Sequence, residues 1–227
     1  MQNIYLIPNW FFGLDVIFEF AFFIIAIVVA FYAFKTYKIS GQTQLKIFGY
    51  SFLFISLSYL IQSFTNFLII SKLNENICNL LNIQTVTSLN ILGMYGHIIF
   101  FILGLGSLTY MTFNLKSKKT YSLIIIFSLF LVFYSSNIIY TFYLTSSVLL
   151  IYIVTHYLTN YLKRKQIKSL LMLLAFVFLL FGSIHFLFAV NHALFYAVGH
   201  FFELVAYIFI LINLLLILKN GKEKKQT

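Results

Sequence analysis

Long apolar runs separated by short polar breaks dominate this chain. Seven runs approach or exceed the roughly 20 residues that carry a helix across a bilayer core: 10–34, 47–70, 89–113, 121–140, 142–162, 169–189 and 194–218. They predict an all-α integral membrane fold, a seven-transmembrane-helix bundle forming a single domain over 1–227. A membrane barrel is excluded, because its strands are short segments of alternating polarity rather than long apolar runs. The fourth and fifth runs almost adjoin, which predicts a tight helical hairpin. The longest break, 71–88, carries Asn74, Glu75, Asn76 and Asn79 and predicts a short amphipathic helix or an irregular cap.

The breaks alternate in charge. Lys35, Lys38 and Lys46 follow the first run, and Lys116, Lys118 and Lys119 follow the third. Lys163, Arg164, Lys165 and Lys168 follow the fifth, and Lys219, Lys222, Lys224 and Lys225 follow the seventh. Of the 15 basic residues, only Lys72 lies on the other side. The positive-inside rule then puts the N-terminus outside and the C-terminus inside, with 219–227 as a short basic cytoplasmic tail. The expected location is the cell membrane, as a multi-pass protein. The inner lysines are expected to meet anionic lipid heads, contributing about 1 kcal/mol each. The tail is too short for a signalling or catalytic module, so any output must pass through the bundle, the basic loops, or a membrane or cytoplasmic protein partner.

Composition agrees with this picture. Hydrophobic residues make up 62% of the chain and charged residues 9%, against roughly 25% charged in soluble domains, so most of the surface must face lipid. The single proline predicts mostly unbroken helices. The net charge of +10 suits nucleic acid in principle, but the one-sided sorting of the lysines assigns it to membrane orientation, and no nucleic-acid partner is expected. One cysteine, Cys78, excludes an internal disulfide. Met1 to Trp10 contain no lysine or arginine, so they lack the basic start of a cleaved signal peptide, and the first run is expected to remain in the mature protein.

Polar residues within the runs carry the candidate chemistry. A charged side chain at the centre of a spanning helix costs at least about 2.5–3.5 kcal/mol, so an ionisable residue there points to function. His200 and Glu203 share a face of the seventh run at i, i+3, and Asp15 and Glu19 share one of the first at i, i+4. His97, His185, Gln62, Asn66, Asn137 and His192 fall at a similar depth in the outer third of the bilayer. His156 lies instead near the inner boundary. Asp15 is close enough to the interface to serve as a solvated cap, and His192 is expected at the water boundary. Trp10 and the terminal tyrosines read as interface anchors.

Three chemistries fit this layer. His97, His185 and His200 with Glu203 and Glu19 offer nitrogen and oxygen ligands for a divalent metal such as zinc, iron or manganese. His97 and His200 offer paired axial ligands for haem b in an electron carrier. The same Asp, Glu and His residues suit a proton or cation pathway, as in a small transporter. A metal-dependent intramembrane hydrolase, with Glu203 or Glu19 as base, and a seven-helix sensor acting through a partner are further alternatives. A hydrogen-bonded network that only fixes helix packing is the structural alternative. Ser56, Ser58 and Ser183 can bond across helices. Gly93, Gly96, Gly104 and Gly106 are expected to let a neighbouring helix approach.

Tyr95-Gly96-His97 in the third run parallels Val198-Gly199-His200 in the seventh, and Leu53-Phe54-Ile55-Ser56 loosely parallels Leu180-Phe181-Gly182-Ser183. These matches suggest a 3+1+3 parallel repeat about an axis along the membrane normal. In plan the chain resembles microbial rhodopsins, but its seventh run has no interior lysine to hold retinal. It resembles small 3+1+3 sugar transporters, but its only proline, Pro8, precedes the first run. It shares residue types with seven-span zinc hydrolases of the ceramidase and adiponectin-receptor kind, but has His200 and Glu203 where they have a close histidine pair.

Overall fold

The protein is described by a computed structural model covering residues 8, 10–11, 13–73, 83–113, 117–189 and 191–223. The described residues form seven helices: α1 (Leu14–Ser40), α2 (Thr43–Leu73), α3 (Ile83–Thr112), α4 (Lys118–Phe133), α5 (Ile138–Arg164), α6 (Ile167–Ala189) and α7 (Leu194–Glu223). No strand occurs among them. Six helices are long and apolar enough to cross a membrane. The protein is therefore a polytopic helical membrane protein in contact with a lipid bilayer. Residues 74–82, which include Cys78 and the asparagines of the longest break, lie outside the described residues. The helices on either side extend into that break, to Leu73 and from Ile83.

Helix ends follow local chemistry. α1 stops where Gly41 takes a left-handed conformation, φ 68°, and its N–H closes onto the Tyr37 carbonyl. The α4–α5 boundary falls at 134–137, earlier than the almost continuous pattern of hydrophobic residues suggests. The Ser135-Ser136-Asn137 stretch breaks the helix there, and Asn137 accepts a hydrogen bond from the Tyr140 N–H as the N-cap of α5. α4 has 16 residues, about 24 Å at 1.5 Å per residue, and is the one helix below the usual spanning length. It runs antiparallel to α3. Ser107 Oγ lies 3.0 Å from Tyr121 Oη near one end, and the Tyr95 and Phe133 rings meet at 5.5 Å near the other.

The other six helices close into a ring in the order α1, α2, α3, α5, α6, α7, with α7 returning to pack on α1. α4 lies outside this ring against α3 and α5. Each ring helix turns one stripe inward and another to lipid. On α1, Phe22, Ala26, Val29 and Ala30 are buried, while Ile17, Phe20, Ile24 and Phe31 are exposed. Exposed apolar side chains are costly in water and cheap in hydrocarbon, so this outer surface suits a bilayer.

Small residues set the closest approaches. A Cβ on Gly104 of α3 would stand 2.5 Å from Ile55 Cγ1 and 2.9 Å from the Ser51 carbonyl oxygen of α2. A Cβ on Gly182 of α6 would stand 3.1 Å from the Gly199 carbonyl oxygen of α7. Gly93 and Gly96 face Thr65 and Ile61 of α2, and Gly106 faces Ile125 of α4. The glycines of α3 therefore do admit close neighbours, as membrane helices generally require.

Candidate functional site

The ring encloses a central cavity of about 30 Å³. A single water needs about 10–15 Å³, so the space holds about two. Every ring helix reaches it. α1 brings Glu19, α2 Tyr59 and Gln62, α3 His97, α5 Tyr143, α6 Ser183, and α7 Tyr196, His200, Glu203 and Tyr207. No lysine or arginine lines it among the described residues.

α7 carries the centre of the site. His200 and Glu203 are both buried, at 4% and 7% exposure, and their helical spacing brings His200 Nδ1 to 3.4 Å from Glu203 Oε2. Neither ring nitrogen of His200 makes a hydrogen bond among the described residues. The imidazole is held by aromatic rings instead. It stacks on Phe11 at 5.6 Å and meets the edges of Tyr196 and Phe186 at 4.6 and 5.1 Å. Packing therefore fixes the ring plane and leaves its polar atoms available. The other Glu203 oxygen accepts a hydrogen bond from Tyr59 Oη of α2 at 3.0 Å.

α1 and α2 build the second carboxylate. Glu19, 1% exposed, accepts two hydrogen bonds from Asn66 Nδ2, at 3.1 and 3.0 Å. Asn66 and Gln62 stand on one face of α2, a turn apart and partly exposed, and so link Glu19 to the surface of the bundle. Asp15, one turn before Glu19, is fully buried rather than a solvated cap. Its Oδ1 accepts the Gly13 N–H at 2.8 Å, tying it to the start of α1, and its Oδ2 has no partner among the described residues.

α3 supplies the second cavity histidine. Ser58 Oγ stands 2.7 Å from His97 Nδ1 and donates to the His97 carbonyl oxygen at 3.0 Å. This serine joins α2 to α3 and fixes the ring of His97. Ser183 plays the matching part between α5 and α6. It donates to the Tyr143 carbonyl oxygen at 3.1 Å and lies 3.0 Å from Ser147 Oγ. Ser56 is buried with no partner for its hydroxyl among the described residues.

The structure brings some of the sequence candidates together and separates others. Glu19, Gln62, His97, His200 and Glu203 all line the cavity, and Asn66 supports one of them. His185 does not line it. Its Nδ1 donates to the Phe181 carbonyl oxygen one turn earlier, and its ring lies against Phe202 and Phe195. Asn137 is an exposed helix cap. His192 is exposed in the turn before α7. His156 lies 2.7 Å from Asn160 Nδ2 on α5, away from the cavity.

This placement lends the five-residue metal set no support. No three His, Cys, Asp or Glu side chains come together to hold a metal ion among the described residues. The reason is local. His185 turns to its own helix, Ser58 engages His97, and Asn66 engages Glu19.

The cavity tyrosines escape a reading that treats tyrosine as an interface anchor. Tyr59 and Tyr207 stand well inside their helices and are 2% and 1% exposed. Their spacing was the available signal. Tyr59, Gln62 and Asn66 follow i, i+3, i+7 on α2, and Glu203 and Tyr207 follow i, i+4 on α7. Comparison with protein families, characterised proteins and solved structures returns no match to this chain.

Proposed function

We propose that this protein carries protons across the membrane through its central cavity, with Glu19, His200 and Glu203 as the exchanging groups. The observation that carries the reading is His200: a buried imidazole with both nitrogens unpartnered among the described residues, 3.4 Å from a buried carboxylate, in a cavity lined by no lysine or arginine among them. Buried polar groups are normally satisfied, and one held ready by its neighbours suits transient partners such as water or a proton. A proton taken up beside Asn66 and Gln62 reaches Glu19, crosses the cavity on water to His200 Nδ1 or Nε2, passes to Glu203 Oε2, and is released from there to the lysine-bearing face when the bundle opens on that side. Tyr59 holds Glu203 in place by its bond to Oε1. Relays of Asp, Glu and His inside helical bundles serve this purpose in pumps and transporters.

The size of the cavity supports water and protons over larger cargo. A haem between His97 and His200 would require the aromatic walls to separate. We read the bundle as N-outside by the distribution of its lysines, with α4 as the seventh crossing, because its antiparallel course returns the chain from the end of α3 to the start of α5. The outer face then holds the entrance at Asn66 and Gln62.

The test is proton uptake into liposomes containing the purified full-length protein and a trapped pH-sensitive dye. A potassium gradient with valinomycin drives the flux. Wild type should exceed protein-free liposomes, and Glu203→Gln should return uptake to the protein-free rate while eluting as the same folded species. Equal uptake by wild type and Glu203→Gln would refute the assignment.

A further inference from the structure

The cavity is polar at one end only. Glu19, Gln62, His200 and Glu203 lie towards the starts of α1 and α7 and the end of α2, and His97 lies midway along α3. Towards the opposite ends the lining changes. Ile55 on α2 comes one turn before Tyr59, and Leu179 on α6 one turn before Ser183. Leu105 on α3 follows His97 by eight residues, about 12 Å along the axis, and Leu150 on α5 follows Phe142 by the same interval. Because α2 and α6 run against α3 and α5, all four displacements point the same way, towards the helix ends bearing Lys46, Lys118, Lys163 and Lys168.

These four side chains are buried, and they belong to one continuous apolar core with Phe22 of α1. α7 adds Tyr207 at this end, stacked on Phe22 at 4.8 Å. Each of the six ring helices thus contributes one large side chain to a plug beneath the polar chamber. A hydrophobic constriction of this kind excludes water and stops conduction without any charged barrier. One to two turns above it, the cavity has acids, imidazoles and hydroxyls that hold water.

We infer that Ile55, Leu105, Leu150 and Leu179 form a dewetted gate that closes the central chamber towards the lysine-bearing face, so that the chamber exchanges with the opposite face while the gate is shut. This inference rests on the proton-carrying reading of the same cavity. Opening requires the helices to part at this level or a polar group to wet it. A side chain that holds water at Leu105 or Leu150 therefore gives a continuous path from chamber to lysine-bearing face.

The experiment uses the same liposomes with Leu150→Asn, Leu105→Asn, the milder Leu150→Ala, and the double variant Leu150→Asn/Glu203→Gln, each confirmed as a monodisperse species after purification. At least one asparagine variant should raise proton uptake about tenfold over wild type, with Leu150→Ala intermediate. Uptake at or below the wild-type rate in all three single variants overturns the gate. A rise in Leu150→Asn that persists in the double variant supports the gate and refutes the role of Glu203. A rise abolished by Glu203→Gln supports both. Loss of wild-type uptake in Glu203→Gln with no rise in any gate variant leaves the proton reading standing and removes the gate.

Discussion

Glu203 is held by two neighbours of different kinds. Tyr59 donates a hydrogen bond to one oxygen, and His200 Nδ1 stands 3.4 Å from the other. Tyr59→Phe removes the donor and leaves a buried acceptor unpaired, which costs about 1–3 kcal/mol. The expected outcome is a lower melting temperature in detergent together with slower proton uptake. An unchanged melting temperature would mean that Glu203 does not depend on this hydroxyl. Asn66→Ala makes a parallel case at Glu19, where one amide serves both oxygens. It should slow uptake more than Phe64→Ala, an exposed apolar position on the same helix, and equal rates for the two would contradict an entrance at Asn66. His200, Glu203, Glu19 and His97 were legible in the sequence because ionisable residues in apolar runs are few. Ser58 and Asn66 were legible too, as polar residues able to bond across helices, but the tyrosine partners were not. Tyr59 and Tyr207 are ordinary residues of membrane helices, and only their inward direction distinguishes them. His185 shows the opposite failure. It shares the depth and chemistry of the cavity histidines, yet its carbonyl partner on its own helix occupies it.

Helix contacts depend on glycine at the places where the cavity needs narrow walls. Gly182 lets α6 lie against the backbone of α7 beside Glu203, where an added Cβ would sit 3.2 Å from Glu203 Cγ and 3.1 Å from the Gly199 carbonyl oxygen. Backbone cannot move aside as a side-chain tip can. Gly182→Ala should therefore destabilise the bundle by about 1–3 kcal/mol and reduce proton uptake by shifting Glu203. Loss of stability with full uptake would separate packing from function at this contact. The helices themselves were readable from twenty-residue apolar runs, because hydrogen-bonded backbone in lipid has few alternatives. Their ends were less so. Apolar content continues through 134–137, and the decisive signal is the capping chemistry of Asn137 rather than hydropathy. α1 and α7 likewise continue past their apolar runs, since helix propensity does not stop where the membrane does.

At the scale of the molecule, six helices surround one small polar chamber and α4 stands outside as a strap between α3 and α5. Three of the five acidic residues, Asp15, Glu19 and Glu203, are buried in this ring. The ring order supports, as a proposal, two trios related by an axis through the cavity, α1–α3 and α5–α7, with Gly96-His97 and Gly199-His200 as counterparts. Which helices adjoin was not readable from hydropathy, because periodicity shows an inward face without naming the helix it meets. Orientation has its own test. A C-terminal green fluorescent protein fusion should fluoresce in a bacterial host and a C-terminal alkaline phosphatase fusion should be inactive, and the reverse pattern would invert the bundle. The central claim is that protons are what crosses. It is tested most directly by the reversal potential of current through the purified protein in planar bilayers under opposed pH and alkali-cation gradients. The account predicts a reversal potential that follows the pH gradient and ignores sodium and potassium; one that follows a metal cation, or the absence of current, would contradict it.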